Sequence, residues 1–179
     1  MELIKPLKKV TCSSKWSLQT AAYDLDNTPQ GTFRSNANDT ITSDIPKGVL
    51  GGMVARASGD WEAREGIHTK EPLGLFAGQS EGNPFENAPA IASGVVPIYK
   101  DGGEFLIYVF ETYNAKTPFA AKTLSSAYAV GTAIYTSAFG LLTEELPSDQ
   151  TTPGVDRTVA IVTKTPTAAD LEMGILLKI

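Results

Sequence analysis

Gly131-Thr-Ala-Ile-Tyr-Thr-Ser-Ala-Phe-Gly-Leu-Leu-Thr143 carries the clearest structural signal in the chain. It predicts a short strand over Thr132–Thr136, a tight turn ending at Gly140, and a return strand over Leu141–Glu144. Two further strands are expected downstream, at Thr158–Lys164 and Gly174–Ile179. Pro166 stands between them with no N–H for a ladder, so the segment around it should be a loop. Ile175, Leu176, Leu177 and Ile179 are too apolar for a solvated tail, and a buried strand is expected there.

Working outward, the rest of the chain carries the same short-strand grammar. Val49–Arg56, Trp61–Arg64 and Leu73–Ala77 read as strands, with Ala57-Ser58-Gly59-Asp60 as a turn. This order of glycine, strand, glycine turn, strand, loop and apolar strand makes a faint internal repeat. In it Gly48 aligns with Gly131, Gly59 with Gly140, and Gly74–Phe76 with Ala160–Val162. Ile91–Tyr99 and Glu104–Thr112 flank Lys100-Asp101-Gly102-Gly103, a strong hairpin signal. Phe105–Phe110 is apolar on both faces, so that strand is expected either to be central to the barrel or to turn half of itself to a neighbouring subunit. Pro118–Ala129 is the one expected helix. The fold class is therefore mainly β: a small antiparallel β-barrel or sandwich of short strands, with one short helix and an extended N-terminal arm. Residues 1–40 are expected as the arm, because their apolar residues are sparse, and 41–179 as a single β-rich domain.

Composition narrows the function. The chain has 179 residues, enough for one domain with a substantial core. With one cysteine, Cys12, no intrachain disulfide can form. Met1–Val10 lacks the continuous apolar run of a signal peptide, and no stretch reaches the ~20 apolar residues of a membrane helix. A net charge of −5 argues against a nucleic-acid partner, which requires clustered Lys and Arg. No membrane partner is expected either.

Candidate chemistry is thin. Gly78-Gln79-Ser80-Glu81-Gly82 fits the pattern of a nucleophile elbow. The sole histidine, His68, lies upstream rather than downstream, and Asn83-Pro84 would stop the helix that the elbow must open. Asp24-Leu25-Asp26 starts like a calcium loop but lacks the glycine and glutamate that complete one. Glu144 and Glu145 are adjacent, so on a strand they would point to opposite faces and could not act as a pair. His68 and Cys12 make no zinc set. Asn38-Asp39-Thr40 matches a glycosylation sequon and reads as an exposed loop. Trp16, Trp61, Phe85 and Phe119 suit core or interface better than sugar stacking. Neither catalytic residues nor metal or cofactor sites are expected, and the chain is not expected to be an enzyme.

The run Gly131–Thr143, together with Arg157-Thr-Val-Ala-Ile-Val-Thr-Lys-Thr-Pro-Thr-Ala-Ala-Asp170 and Gly174-Ile-Leu-Leu-Lys-Ile179, resembles the C-terminal half of tailed-bacteriophage capsid decoration, or cement, proteins of the lambda head-decoration type. The resemblance implies a structural protein on the outer surface of the virion, made in the host cytoplasm. It implies a homotrimer at local threefold sites that binds the major capsid protein and stabilises the head. In that reading Leu3, Ile4, Lys5, Leu7, Lys8, Lys9 and Trp16 are the expected capsid contacts. Phe105, Ile107, Tyr108 and Phe110 are the expected subunit interface. The competing reading is another virion module: a head fibre base, a tail or baseplate component, or a glycan-binding domain. A small esterase built on Ser80 is the third.

Overall fold

The computed structural model describes residues 4–8, 10–18, 51–60, 62–77, 95–114, 117–137, 140–148, 150 and 152–179. The strands in chain order are β1 (Ile4–Lys8), β2 (Thr11–Leu18), β3 (Val54–Gly59), β4 (Glu62–Glu65), β5 (Gly74–Phe76), β6 (Val95–Lys100), β7 (Gly103–Ile107), β8 (Tyr113–Asn114) and β9 (Thr117–Ala121). The one helix among the described residues, the short α1 (Leu124–Ala127), precedes β10 (Ala133–Thr136), β11 (Leu142–Thr143), β12 (Ala160–Lys164) and β13 (Met173–Leu177). The protein is mainly β, as its short apolar runs and glycine turns require.

Six strands form an open sheet in the order β1-β7-β13-β12-β10-β11, while β2, β4, β3, β5 and β6 pair in a closed ring. β13 lies at the heart of the open sheet, antiparallel to both β7 and β12. Its Met173, Ile175 and Leu177 are buried, so the apolar run near the end of the sequence is the strand expected there. One core joins the two sheets. Val54 and Leu75 from the ring pack with Phe105, Ile107, Ile134, Val162 and Ile175 from the open sheet. The rings of Tyr99 and Phe105 meet across the boundary at 4.9 Å between centroids.

The faint sequence repeat has a counterpart in the pairing. In the ring, β2 pairs β6, β6 pairs β5, β5 pairs β3 and β3 pairs β4. In the open sheet, β7 pairs β13, β13 pairs β12, β12 pairs β10 and β10 pairs β11. Numbered within each unit, both follow the order first, fifth, fourth, second, third. Even the closure matches. β2 and β4 run parallel, and a parallel bridge joins Phe110, just past β7, to Leu142 in β11. What the repeat leaves over is β1 before the first unit, and β8, β9 and α1 between the first and second strands of the second.

Three expectations need correction. Asp101 and Gly102 do adopt the positive φ values of a tight turn, 62° and 89°. The strands they join do not pair, however: β6 lies between β2 and β5, and β7 between β1 and β13. The turn signal fixed a local reversal, and better-matched partners elsewhere took the ladders, so the chain crosses between the two sheets here. The expected helix over Pro118–Ala129 begins as strand, because Thr117–Ala121 pairs with Tyr113 and Asn114 as a small hairpin. Only Leu124–Ala127 is helical, and the Thr123 side chain makes no capping bond. Finally, β1 and β2 are not an arm outside the domain. β1 is an edge strand of the open sheet and β2 a member of the ring.

Candidate functional site

Among the described residues, two places bear most on function. The first is β1. Its alternation buries Ile4 at 2% exposure against the core, while Lys5 and Lys8 face outward. The register Ile4↔Ile107, Lys5↔Leu106, Pro6↔Phe105 slips before Lys8↔Glu104, so Leu7 sits on a bulge and is 47% exposed. Lysines, a proline and a bulge on an edge strand are devices that prevent a further strand from adding. Any partner at this edge therefore meets side chains, chiefly Lys5, Leu7 and Lys8, with Val10 exposed beyond them.

Of the expected capsid contacts, Ile4 is withdrawn into the chain's own core. Lys5, Leu7 and Lys8 are displayed. Leu3 and Lys9 lie outside the described residues, and Trp16 takes a ring position opposite Val96. Three of the four residues expected at the subunit interface are withdrawn into the chain's own core. Phe105, Ile107 and Phe110 are at most 4% exposed within a single chain, so no neighbouring copy can reach them. The alternation of β7 explains it, since Phe105 and Ile107 share one inward face. Tyr108 is half-buried, and its hydroxyl donates to Glu172 Oε2 at 2.5 Å.

The second place is the neck of the β8–β9 hairpin, which the sequence did not single out. Glu111 precedes the hairpin and Lys122 follows it. The backbone closes the neck through Lys122 N–H donating to Thr112 C=O at 2.8 Å. The Lys122 side chain is only 4% exposed. Its Nζ lies 2.7 Å from Glu144 Oε2, 3.1 Å from Glu145 Oε1 and 3.1 Å from Thr143 Oγ1. Glu111 Oε2 is fourth, at 3.6 Å. An ammonium has three donors, and three nearer oxygens occupy them. Among the described residues, Glu111 Oε2 is thus left buried with no hydrogen-bond partner.

Burial, above all, raises the Glu111 carboxyl to about 6. Glu145 pushes the same way, and Lys122, Thr143 and Ser137 pull against it. Tyr128 roofs the cluster. Its hydroxyl donates to the Glu111 backbone carbonyl, its ring meets Phe110 edge-on at 5.0 Å, and the Lys122 ammonium stands 5.9 Å from the ring centroid. Glu144 and Glu145 both reach Lys122 because β11 ends at Thr143, and beyond that residue the strand alternation invoked for them no longer applies.

The remaining sequence candidates fall away or out of view. Gly78–Gly82, Asp24–Asp26, Asn38–Thr40, Trp61 and Phe85 lie outside the described residues. Among the described residues no group of three or more His, Cys, Asp or Glu is placed to hold a metal ion. No helix among them is long and apolar enough to cross a membrane. No protein-family model, no curated protein and no solved structure matches the chain.

Proposed function

We propose that this chain is a structural virion protein that binds the outside of a phage capsid and stabilises the head lattice, as a trimer at local threefold sites. The observation that carries the reading is β1: an edge strand anchored by Ile4 that presents Leu7 on a bulge between Lys5 and Lys8. A protected edge with displayed cationic and apolar side chains suits docking on an acidic protein surface by a preformed β domain. The sequence resemblance favours the major capsid protein as that surface.

Decoration acts by mass action, since a ligand that binds only the intact lattice shifts the balance away from the ruptured one. A trimer repeats each contact three times, so modest contacts add through multivalency. With Phe105, Ile107 and Phe110 buried, the exposed apolar side chains Val130 and Leu146 replace them as candidates for contact between copies.

Copy number tests the reading. The protein is quantified against the major capsid protein in purified particles, using labelled standards. A fixed stoichiometric ratio that fills every threefold site is expected. A few copies per particle would assign the chain to a vertex, neck or tail and overturn the lattice role. Charge reversal of Lys5 and Lys8 with Leu7→Ala should abolish binding to undecorated heads while leaving the fold intact.

A further inference from the structure

We propose that Glu111 is a proton-operated latch on the β8–β9 hairpin: protonated, it holds the hairpin against the open sheet, and ionised, it loosens it. The inference rests on the geometry of the neck and is independent of any capsid role.

The hairpin cannot hold itself. β8 and β9 pair through Tyr113↔Ala121 and Asn114↔Thr117 with a register slip between them. An isolated two-stranded hairpin is marginal in water, so its position depends on the burial of Tyr113 and on what grips its ends. Those ends are Glu111 and Lys122. Glu111 N–H donates to Leu142 C=O at 2.8 Å, tying one side of the neck to β11. On the other side the Lys122 ammonium grips Thr143, Glu144 and Glu145, at and just beyond the end of β11.

Among the described residues, every charged or titratable group facing Glu111 belongs to this neck. Lys122 comes from the end of β9, Glu144 and Glu145 from beyond β11, and Tyr128 from the end of α1. The Thr143 and Ser137 hydroxyls complete the surroundings. Three carboxylates share one ammonium, and the two nearer ones take it. An ionised Glu111 therefore keeps a buried, hydrogen-bond-deficient oxygen beside Glu145, which costs free energy only while the neck is closed. Opening the neck hydrates that oxygen. A protonated Glu111 has no such cost and gains an O–H to donate to the neighbouring carboxylates.

The direction follows. The closed form binds the proton more tightly than the open form, so the latch is fully set below about 4.5 and released as pH rises through about 6. The separation between those two values corresponds to about a thirty-fold change in the opening equilibrium.

Amide hydrogen exchange across the hairpin, corrected for intrinsic exchange at each pH, tests this in the wild type and in Glu111→Gln. Wild-type protection at residues 113–121 and at the Lys122 amide should fall by up to about thirty-fold between about pH 4.5 and about pH 7.5. β12 and β13 should keep theirs, and Glu111→Gln should stay protected throughout. Equal pH dependence in both proteins, no change in the wild type, or a loss spread evenly over β12 and β13 would each overturn the latch. A carboxyl-carbon NMR titration of the wild type needs no variant. A Glu111 midpoint near 6 is expected, and one in the ordinary glutamate range would also overturn the proposal.

Discussion

Glu111 and Lys122 stand at opposite ends of one hairpin, and their charged atoms meet 3.6 Å apart beneath the ring of Tyr128. The contact is long for an ion pair because Lys122 is already committed to Glu144, Glu145 and Thr143. Lys122 is thus the keystone of the neck and Glu111 its surplus charge, which leads to opposite expectations for removing each.

Lys122→Met removes the cation and leaves three carboxylates facing one another in a largely buried site. Breaking one partner of a buried ion cluster costs about 3–5 kcal/mol. The loss should be larger above neutrality, where Glu111 ionises, than near pH 5. Urea denaturation at the two pH values measures both the size and the sign.

Glu111→Gln should stabilise the protein at alkaline pH and not at acid pH. The folded-state value near 6 exceeds the ordinary 4.5, so the contribution of Glu111 is present below 4.5 and lost as pH rises through 6. The variant should gain about 2 kcal/mol over the wild type above neutrality, with no gain near pH 4. Asp156, Asp170 and Glu172 have lowered values and weaken the fold as pH falls, but they do so in both proteins. The difference between the two stability curves therefore isolates Glu111.

Gly74→Ala should be among the most damaging single substitutions in the ring. A Cβ at this position would lie 2.2 Å from the Tyr99 carbonyl oxygen and 2.6 Å from Ile98 Cγ2, both on the neighbouring strand β6. Backbone cannot yield as a flexible side chain does, so a cost of about 3 kcal/mol is expected by thermal or chemical denaturation.

Ile4→Ala and Leu7→Ala should separate the two faces of β1. Ile4 is buried in the core cluster, and its truncation should cost about 2–4 kcal/mol. Leu7 is displayed on the bulge, and its truncation should change stability by less than about 0.5 kcal/mol. Equal costs in denaturation would mean that β1 does not divide its faces as described.

The strands of the second unit were legible because their signals are local and agree with one another: β-branched and apolar runs, glycine at the turns, Pro166 between ladders. The Gly59/Gly140 and Gly74/Ala160 alignment also carried topology, since both units share one pairing order. Pairing partners were not legible. Asp101-Gly102 marks its turn correctly, yet nothing near it says that β7 would pair with β1 and β13. The role of Ile4 was hidden by its lysine-rich neighbours, which make an edge strand look like a solvated arm. The neck cluster escaped because its charges come from residues 111, 122, 144 and 145, none of which is unusual alone. A lone lysine between an alanine-rich strand and a threonine, with a glutamate eleven residues before it, is no motif.

β1 and β13 flank β7 and run antiparallel to it, so they point the same way. A tensile load drawn between Ile4 and Leu177 therefore pulls β1 backwards and β13 forwards along their own axes. The ladder hydrogen bonds lie across that direction and are loaded together in shear, instead of being opened one after another like a zip. Strain spreads over both faces of β7 at once, which gives the open sheet a stiff axis along its strands and a weaker one across them.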